Sequence, residues 1–172
     1  MISQKLQDAL NEQIVAEMWS ANLYLSMSFF FDGEGFSGFA NWMKKQSQEE
    51  TEHAYQMADF IIKRGGKAVL GKIEAVPQAW ESPLAAFENV YAHECKVSAL
   101  INSLLDLAEE ERDRAAQDFL WQFVREQVEE EDNCHTLIDR LKLIGDNGLA
   151  LYTFDQELGA RTYVAPSILA AK

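Results

Sequence analysis

Residues 39–60 read FANWMKKQSQEETEHAYQMADF, and the phase of this stretch decides the fold. Its apolar positions recur at alternating steps of four and three, the spacing of one face of an α-helix. That face runs Phe39, Met43, Gln46, Glu50, His53, Met57 and Phe60. Glu50 and His53 are three residues apart, so they point the same way, into a seam of Phe and Met rather than into solvent. Burying a carboxylate or an imidazole there without a partner is costly, so such groups neutralise or find a cation. A Glu-x-x-His pair alone is weak, because a satisfied core histidine would look the same. What matters is whether other helices bring carboxylates to the same layer.

Working outward, the first helix is predicted to start after the N-cap Ser3 and run to Phe31, about 28 residues and roughly 42 Å. Its seam is Leu6, Leu10, Gln13, Glu17, Ser20, Tyr24, Met27 and Phe31, with Glu17 a second carboxylate. Asp32-Gly33-Glu34-Gly35 permits a short reversal into the second helix, from about Gly38 to Arg64, which Gly65-Gly66 stops. The two helices are therefore antiparallel neighbours. From Gly65 to Pro83 the chain is too long for a hairpin; extended, it reaches roughly 60 Å and can cross the bundle end to end. That crossover sets the third helix parallel to the second.

Ser82 caps the third helix with Pro83 in its first turn, and the helix is predicted to end at Glu110. Its seam of Phe87, Val90, Glu94, Val97, Ile101, Leu104 and Ala108 holds one charge, Glu94. The adjacent His93 points away from the seam and is expected at the surface. Glu109 to Arg114 reads as a solvated turn. The fourth helix extends to Ile144, before Gly145, with the seam Ala116, Leu120, Phe123, Gln127, Glu130, Cys134, Leu137 and Leu141. Gln127 and Glu130 repeat the three-residue spacing. Asp132 and His135 share it too, but His135 lies about 140° around the helix from Glu130, off the seam. A short fifth helix from about Leu149 to Leu158 is followed by a partly apolar tail carrying Tyr163, Val164, Ile168 and Leu169. The expected fold is all-α: one domain over 1–172, with a four-helix bundle (1–145), a short fifth C-terminal helix (146–158) and a tail (159–172).

The formal charge of −13 across 172 residues argues against nucleic acid and against an anionic membrane surface, both of which need Lys and Arg. No signal peptide is visible, and no stretch is long and apolar enough to span a bilayer. Cys95 and Cys134 lack metal-finger spacing and require no disulfide, so a cytoplasmic location is expected.

Glu17, Glu50, Glu94 and Glu130 thus occupy one seam position on each of four helices, all near mid-helix. Four carboxylates in one dry layer repel and raise one another's pKa values. A divalent or trivalent metal removes the conflict. Oxygen ligands with a single imidazole suit iron or manganese better than metals that favour thiolates. The competing reading is a polar layer that only fixes register.

The set Glu17, Glu50-x-x-His53, Glu94 and Gln127-x-x-Glu130, with these helix lengths, the crossover and the short fifth helix, resembles the bacterial non-haem ferritins through about Leu158. The resemblance implies a ferritin-like bundle assembling into a hollow cage of twenty-four subunits. It implies oxidation of Fe²⁺ by O₂ or H₂O₂ at a dinuclear centre within each subunit, and storage of the product as a ferric mineral. It gives one iron to Glu17, Glu50 and His53, with Glu50 bridging to a second held by Glu94 and Glu130 and Gln127 beside it. Tyr24 stands at the family's tyrosine position, where it donates an electron or orients a ligand. Glu49, Glu126 and Glu129, with Glu130 shared, match a third iron site facing the cavity, although an acidic run on a helix is often only a solvated face. Many relatives carry Trp where this chain has Gln122; here the Trp is next door, at Trp121. Haem-binding bacterioferritin differs: it has His at the position of Glu130 and a haem-ligating Met where Thr51 and Glu52 stand, so haem is not expected.

Two other functions share the pattern. A di-iron oxidoreductase or peroxidase of the same bundle class would act on an organic substrate or peroxide, yet no Cys-x-x-Cys electron-transfer module accompanies the bundle. A non-catalytic structural bundle would use its polar layer to set assembly. Chain mass in solution and iron content separate the three.

Overall fold

Side chains at helix starts satisfy the unpaired backbone N–H groups that every helix leaves there. In the computed structural model, which describes residues 1–163, Ser3 opens α1 (Gln4–Gly33) by accepting from Leu6 N at 3.1 Å. Ser82 does the same for α3 (Pro83–Glu110), accepting from Ala85 N at 3.1 Å with Pro83 in the first turn. Asp113 caps α4 (Arg114–Ile144) through Ala116 N, and Asn147 caps α5 (Gly148–Leu158) through Ala150 N, each at 3.1 Å.

The exception is α2 (Ser37–Lys63), whose own N-cap residue, Phe36, provides no side-chain acceptor. Its cap comes from α5. The carboxylate of Asp155 accepts from Gly38 N at 2.8 Å and Phe39 N at 2.9 Å, so the fifth helix closes the end of the bundle by completing the second. The backbones meet so closely that a Cβ on Gly38 would stand 1.6 Å from the Asp155 carbonyl oxygen. Only glycine fits there.

α1 and α2 reverse through Gly35 (φ 84°), and Gly65 (φ 77°) turns the chain just past the end of α2, both conformations that favour glycine. The crossover then runs back along α1. Lys67 N donates to Gln7 Oε1 (2.7 Å), Val69 N to Asn11 Oδ1 (2.8 Å), and Ser26 Oγ to the Pro77 carbonyl (2.6 Å). At the near end Trp80 packs edge-on to Phe30. This path makes α3 parallel to α2: Phe87 at the start of α3 packs on Phe39 and Trp42 at the start of α2. At the opposite end Arg64 forms a two-pronged pair with Asp113 (3.0 and 2.9 Å). The turn between α3 and α4 is Glu111–Asp113, inside the expected Glu109–Arg114, and α3 ends at Glu110 as expected.

The buried apolar side chains form two clusters. One, around Tyr24, Phe31, Phe39, Met43 and Phe87, also takes in Phe154 and Leu158 of α5. The other, around Leu10, Met57, Ile61, Ile101 and Leu120, fills the opposite end. Between them along each helix lie Gln13, Glu17, Ser20, Gln46, Glu50, His53, Glu94 and Gln127, all buried and polar. The seam residues are buried as expected, apart from Phe60 and Glu130, which are partly covered. No strand occurs among the described residues, and none of their helices is long and apolar enough to cross a membrane. The tail from Val164 to Lys172, including Ile168 and Leu169, lies outside the described residues.

Candidate metal centre

The polar layer has two unlike halves. On α1 and α2, Glu17, Glu50 and His53 bring one ligand atom each to within 4.8 Å of the others, and all three are buried. The imidazole Nδ1 lies 3.4 Å from Glu50 Oε2 and 4.0 Å from Glu17 Oε2. Those two carboxylate oxygens are buried and have no hydrogen-bond donor among the described residues. Gln13 Nε2 donates to the other Glu17 oxygen at 2.8 Å and fixes the carboxylate's plane. Two orphaned anionic oxygens aimed at one imidazole nitrogen are the arrangement a cation would satisfy.

Electrostatics agrees. Burial pushes the Glu17 carboxyl well above its ordinary range, and Glu50 adds to the rise; burial likewise raises Glu50. Burial alone would lower the pKa of His53, but the carboxylates of Glu126 and Glu50 beside its two nitrogens outweigh it and hold the ring well above its ordinary value. Protons stand in for positive charge that the layer otherwise lacks.

On α3 and α4 the carboxylates are already engaged. Glu94 accepts from the Tyr24 hydroxyl on one oxygen and from Gln127 Nε2 on the other at 3.0 Å; the same amide lies 3.2 Å from the Glu94 carbonyl. Burial raises the Glu94 carboxyl to about 7. Glu130, partly covered, accepts from Gln46 Nε2 at 2.9 Å and is also raised by burial to about 7. Among the described residues, only the Glu17–Glu50–His53 trio is gathered tightly enough to offer three ligand atoms at one point.

The chain matches the ferritin-like domain family over residues 7–144. It is 61% identical over 161 residues to a bacterial non-heme ferritin of Bacteroides fragilis, spanning 94% of this chain and all of that one. This chain belongs to the ferritin family. It is also 39% identical to a bacterial non-heme ferritin of Staphylococcus saprophyticus, across 95% and 98% of the two chains. Among solved structures, an Archaeoglobus fulgidus ferritin engineered into a closed form superposes with a TM-score of 0.94 at 48% identity, covering 95% of this chain and all of that one. An open-pore ferritin of the same archaeon superposes at 0.93.

The outer residues of this ferritin do not converge. Glu126 Oε1 lies 3.1 Å from His53 Nε2, Glu49 pairs with Arg161, and Glu129 is exposed. Trp121 is on the surface, 45% exposed. His135 is exposed as well, beside Asp139.

His93 corrects the sequence reading. It is not a surface residue: its Nε2 lies 2.8 Å from Ser20 Oγ, and its ring sits between Trp19 (5.2 Å) and Tyr24 (6.3 Å). Burial, with Lys96 adding to it, lowers its pKa to about 4, so the ring is neutral at pH 7. The sequence held a clue, since Val90, His93 and Val97 continue the same three-four spacing and widen the seam. Arg161, in the tail, was missed altogether.

Proposed function

We propose that Glu17, Glu50 and His53 hold one iron ion, and that Glu50 reaches to a second held by Glu94 and Glu130 with Gln127 beside it. Fe²⁺ is the substrate. Iron storage with Fe²⁺ oxidation is the work of the non-haem ferritins, the family of this chain, and the residue assignment rests on one observation. Two buried carboxylate oxygens, one from each of two adjacent helices, face an imidazole nitrogen with no donor between them.

Each ferrous ion yields one electron. With dioxygen, two Fe²⁺ and two protons become two Fe³⁺ and one H₂O₂; hydrogen peroxide serves as the alternative oxidant. The chain's part is to bring the two ions together and to release protons as they bind, since Glu94 and Glu130 hold protons near neutral pH. Hard oxygen ligands favour the ferric product. Tyr24, buried against Glu94, orients that carboxylate and is placed to supply an electron. The ferric ions then leave past Glu49, Glu126 and Glu129, whose carboxylates a passing ion would draw together as a third, transit site.

Storage implies a cavity, and we assign the chain to a twenty-four-subunit cage with that face inward. Large side chains left bare, including Phe29, Leu143, Leu149 and Tyr152, support burial between subunits. The acidic surface favours cations over nucleic acid as partners, and thiols without a disulfide fit the cytoplasm. Twenty-four chains of 19.5 kDa make a shell near half a megadalton, which size-exclusion chromatography reads directly. On that assembled peak, Glu17→Ala is expected to slow aerobic Fe²⁺ oxidation by about a hundredfold or more while leaving elution unchanged. Wild-type oxidation by the variant would sink the dinuclear assignment.

A further inference from the structure

Past α5 the chain does not leave the bundle; it turns along α2. The side-chain amide of Asn41 donates to the carbonyls of Leu158, Gly159 and Arg161 at 3.3, 3.3 and 2.9 Å, fastening this segment to the helix. The Arg161 guanidinium then lies over the Trp42 ring, 4.6 Å from its centroid. One arm donates to the Trp42 carbonyl, and the other donates both to Gln46 Oε1 and to Glu49 Oε2 at 2.8 Å. Gln46 passes the connection on, because its Nε2 donates to Glu130. Arg161 thus touches Glu49 directly and Glu130 through one amide, on the face where Glu126 reaches His53. Two residues on, the Tyr163 hydroxyl is buried without a hydrogen-bond partner among the described residues, as is Glu52 Oε1 on the neighbouring turn of α2.

The guanidinium is a positive charge held against the carboxylate through which product ions would pass. A metal cation reaching Glu49 meets that charge and must break the Arg161–Glu49 pair. We infer that Arg161 is an internal counter-cation that sets how tightly the Glu49–Glu126–Glu130 face holds a metal ion, keeping it a place of passage rather than of retention. It is a specificity-determining residue for iron leaving the dinuclear centre, and its role rests on the reading of that centre given above. When a cation does bind Glu49, the strap from Gly159 to Tyr163 loses its main ionic anchor and loosens.

The test uses Zn²⁺, which binds without redox chemistry, on the assembled metal-free cage. Calorimetric titration of the wild type is expected to show two tighter ions per subunit and a weaker third. In Arg161→Gln the third is expected to bind at least tenfold tighter with the Glu17–Glu50–His53 ion unchanged. Arg161→Lys, which keeps the charge, should return towards wild type, and Arg161→Gln with Glu49→Gln should lose the third ion. Equal third-ion affinity in wild type and Arg161→Gln would overturn the inference. Absence of the two tighter ions in the wild type would overturn the dinuclear reading instead. A second measurement needs no variant: hydrogen exchange of the 159–163 peptide in the wild-type cage should speed up at least tenfold once Zn²⁺ exceeds two ions per subunit. An unchanged rate there also overturns the inference.

Discussion

The α1–α2 half of the polar layer and the α3–α4 half are built from the same residue types but are solved differently. In the first, the carboxylate oxygens of Glu17 and Glu50 that face His53 meet no hydrogen-bond donor among the described residues. In the second, neutral donors occupy the carboxylates: Tyr24 and Gln127 on Glu94, and Gln46 on Glu130. A metal at the first half displaces only protons from oxygens that meet no other partner, whereas at the second it must also displace neutral hydrogen-bond donors. The difference predicts a tight first site and a weaker, exchangeable second one. That ordering suits a centre that must release what it oxidises.

The largest effect should come from breaking the tight half. His53→Ala removes its one nitrogen ligand and is expected to weaken the tighter Zn²⁺ site by about a hundredfold or more, beyond the 10–100-fold typical of outer-shell losses. The second site should be little changed. If the weaker site were the one lost, the assignment of halves would be reversed.

Acidity should act next, and on both halves, since Glu17, Glu50 and His53 are raised as well. Glu94 and Glu130 both titrate near 7, so protons compete with metal there below that pH. Each such carboxylate loses about tenfold in metal affinity per pH unit below its pKa. Second-site Zn²⁺ affinity is therefore expected to fall at least tenfold between pH 7.5 and 6. The same groups set an opposite trend in the metal-free fold. With folded-state pKa values above the ordinary carboxylate range, the native state binds more protons than the unfolded chain between about 4.5 and 7. Their contribution to stability falls as pH rises through that window, and saturating Zn²⁺ should remove the slope. A metal-free Tm insensitive to pH across this range would remove the electrostatic basis of the comparison.

Much of the first half was legible in the sequence, because a buried helix face repeats with a fixed period and a charged residue on it stands out. Glu17, Glu50 and His53 interrupt apolar seams and could be found by phase alone. What completes the layer from outside was hidden. Asp155 caps α2 from 117 positions away in sequence, and Arg161 reaches Glu49 across 112. Nothing in either local stretch marks a partner, since tail-to-helix contacts follow no period. Glu130 lies on the seam by phase but near its edge, so the helix face gave its direction without its degree of cover. His93 failed for a related reason: α1 packs closely enough on α3 to bury the flank of the seam as well as its centre, which Trp19 and Ser20 accomplish.

Smaller changes probe the donors that quiet the second half. Gln127→Leu removes the amide from Glu94 Oε2 and from its carbonyl, leaving a buried carboxylate with one partner fewer. Loss of that hydrogen bond raises the Glu94 pKa further, so second-site affinity at pH 7 should drop about tenfold, within the range for an outer-shell partner. The first site should not move.

Tyr24→Phe should have the mildest effect on binding and the most informative one. The hydroxyl is buried, donates to Glu94, and has a pKa raised first by burial and then by the Glu94 charge. The tyrosine therefore stays protonated and acts as a neutral donor, not as a ligand. Removing one oxygen leaves the ring packing against His93 in place and frees Glu94 Oε1 for the metal. Two consequences oppose each other: Glu94 loses a bond that favoured its charged form, yet gains an oxygen with no competitor. Their near cancellation predicts a change in second-site Zn²⁺ affinity of only a few fold. If Tyr24 also supplies an electron, Fe²⁺ oxidation should slow by more than the change in binding explains. Oxidation and binding that fall together in Tyr24→Phe would confine the tyrosine to positioning Glu94.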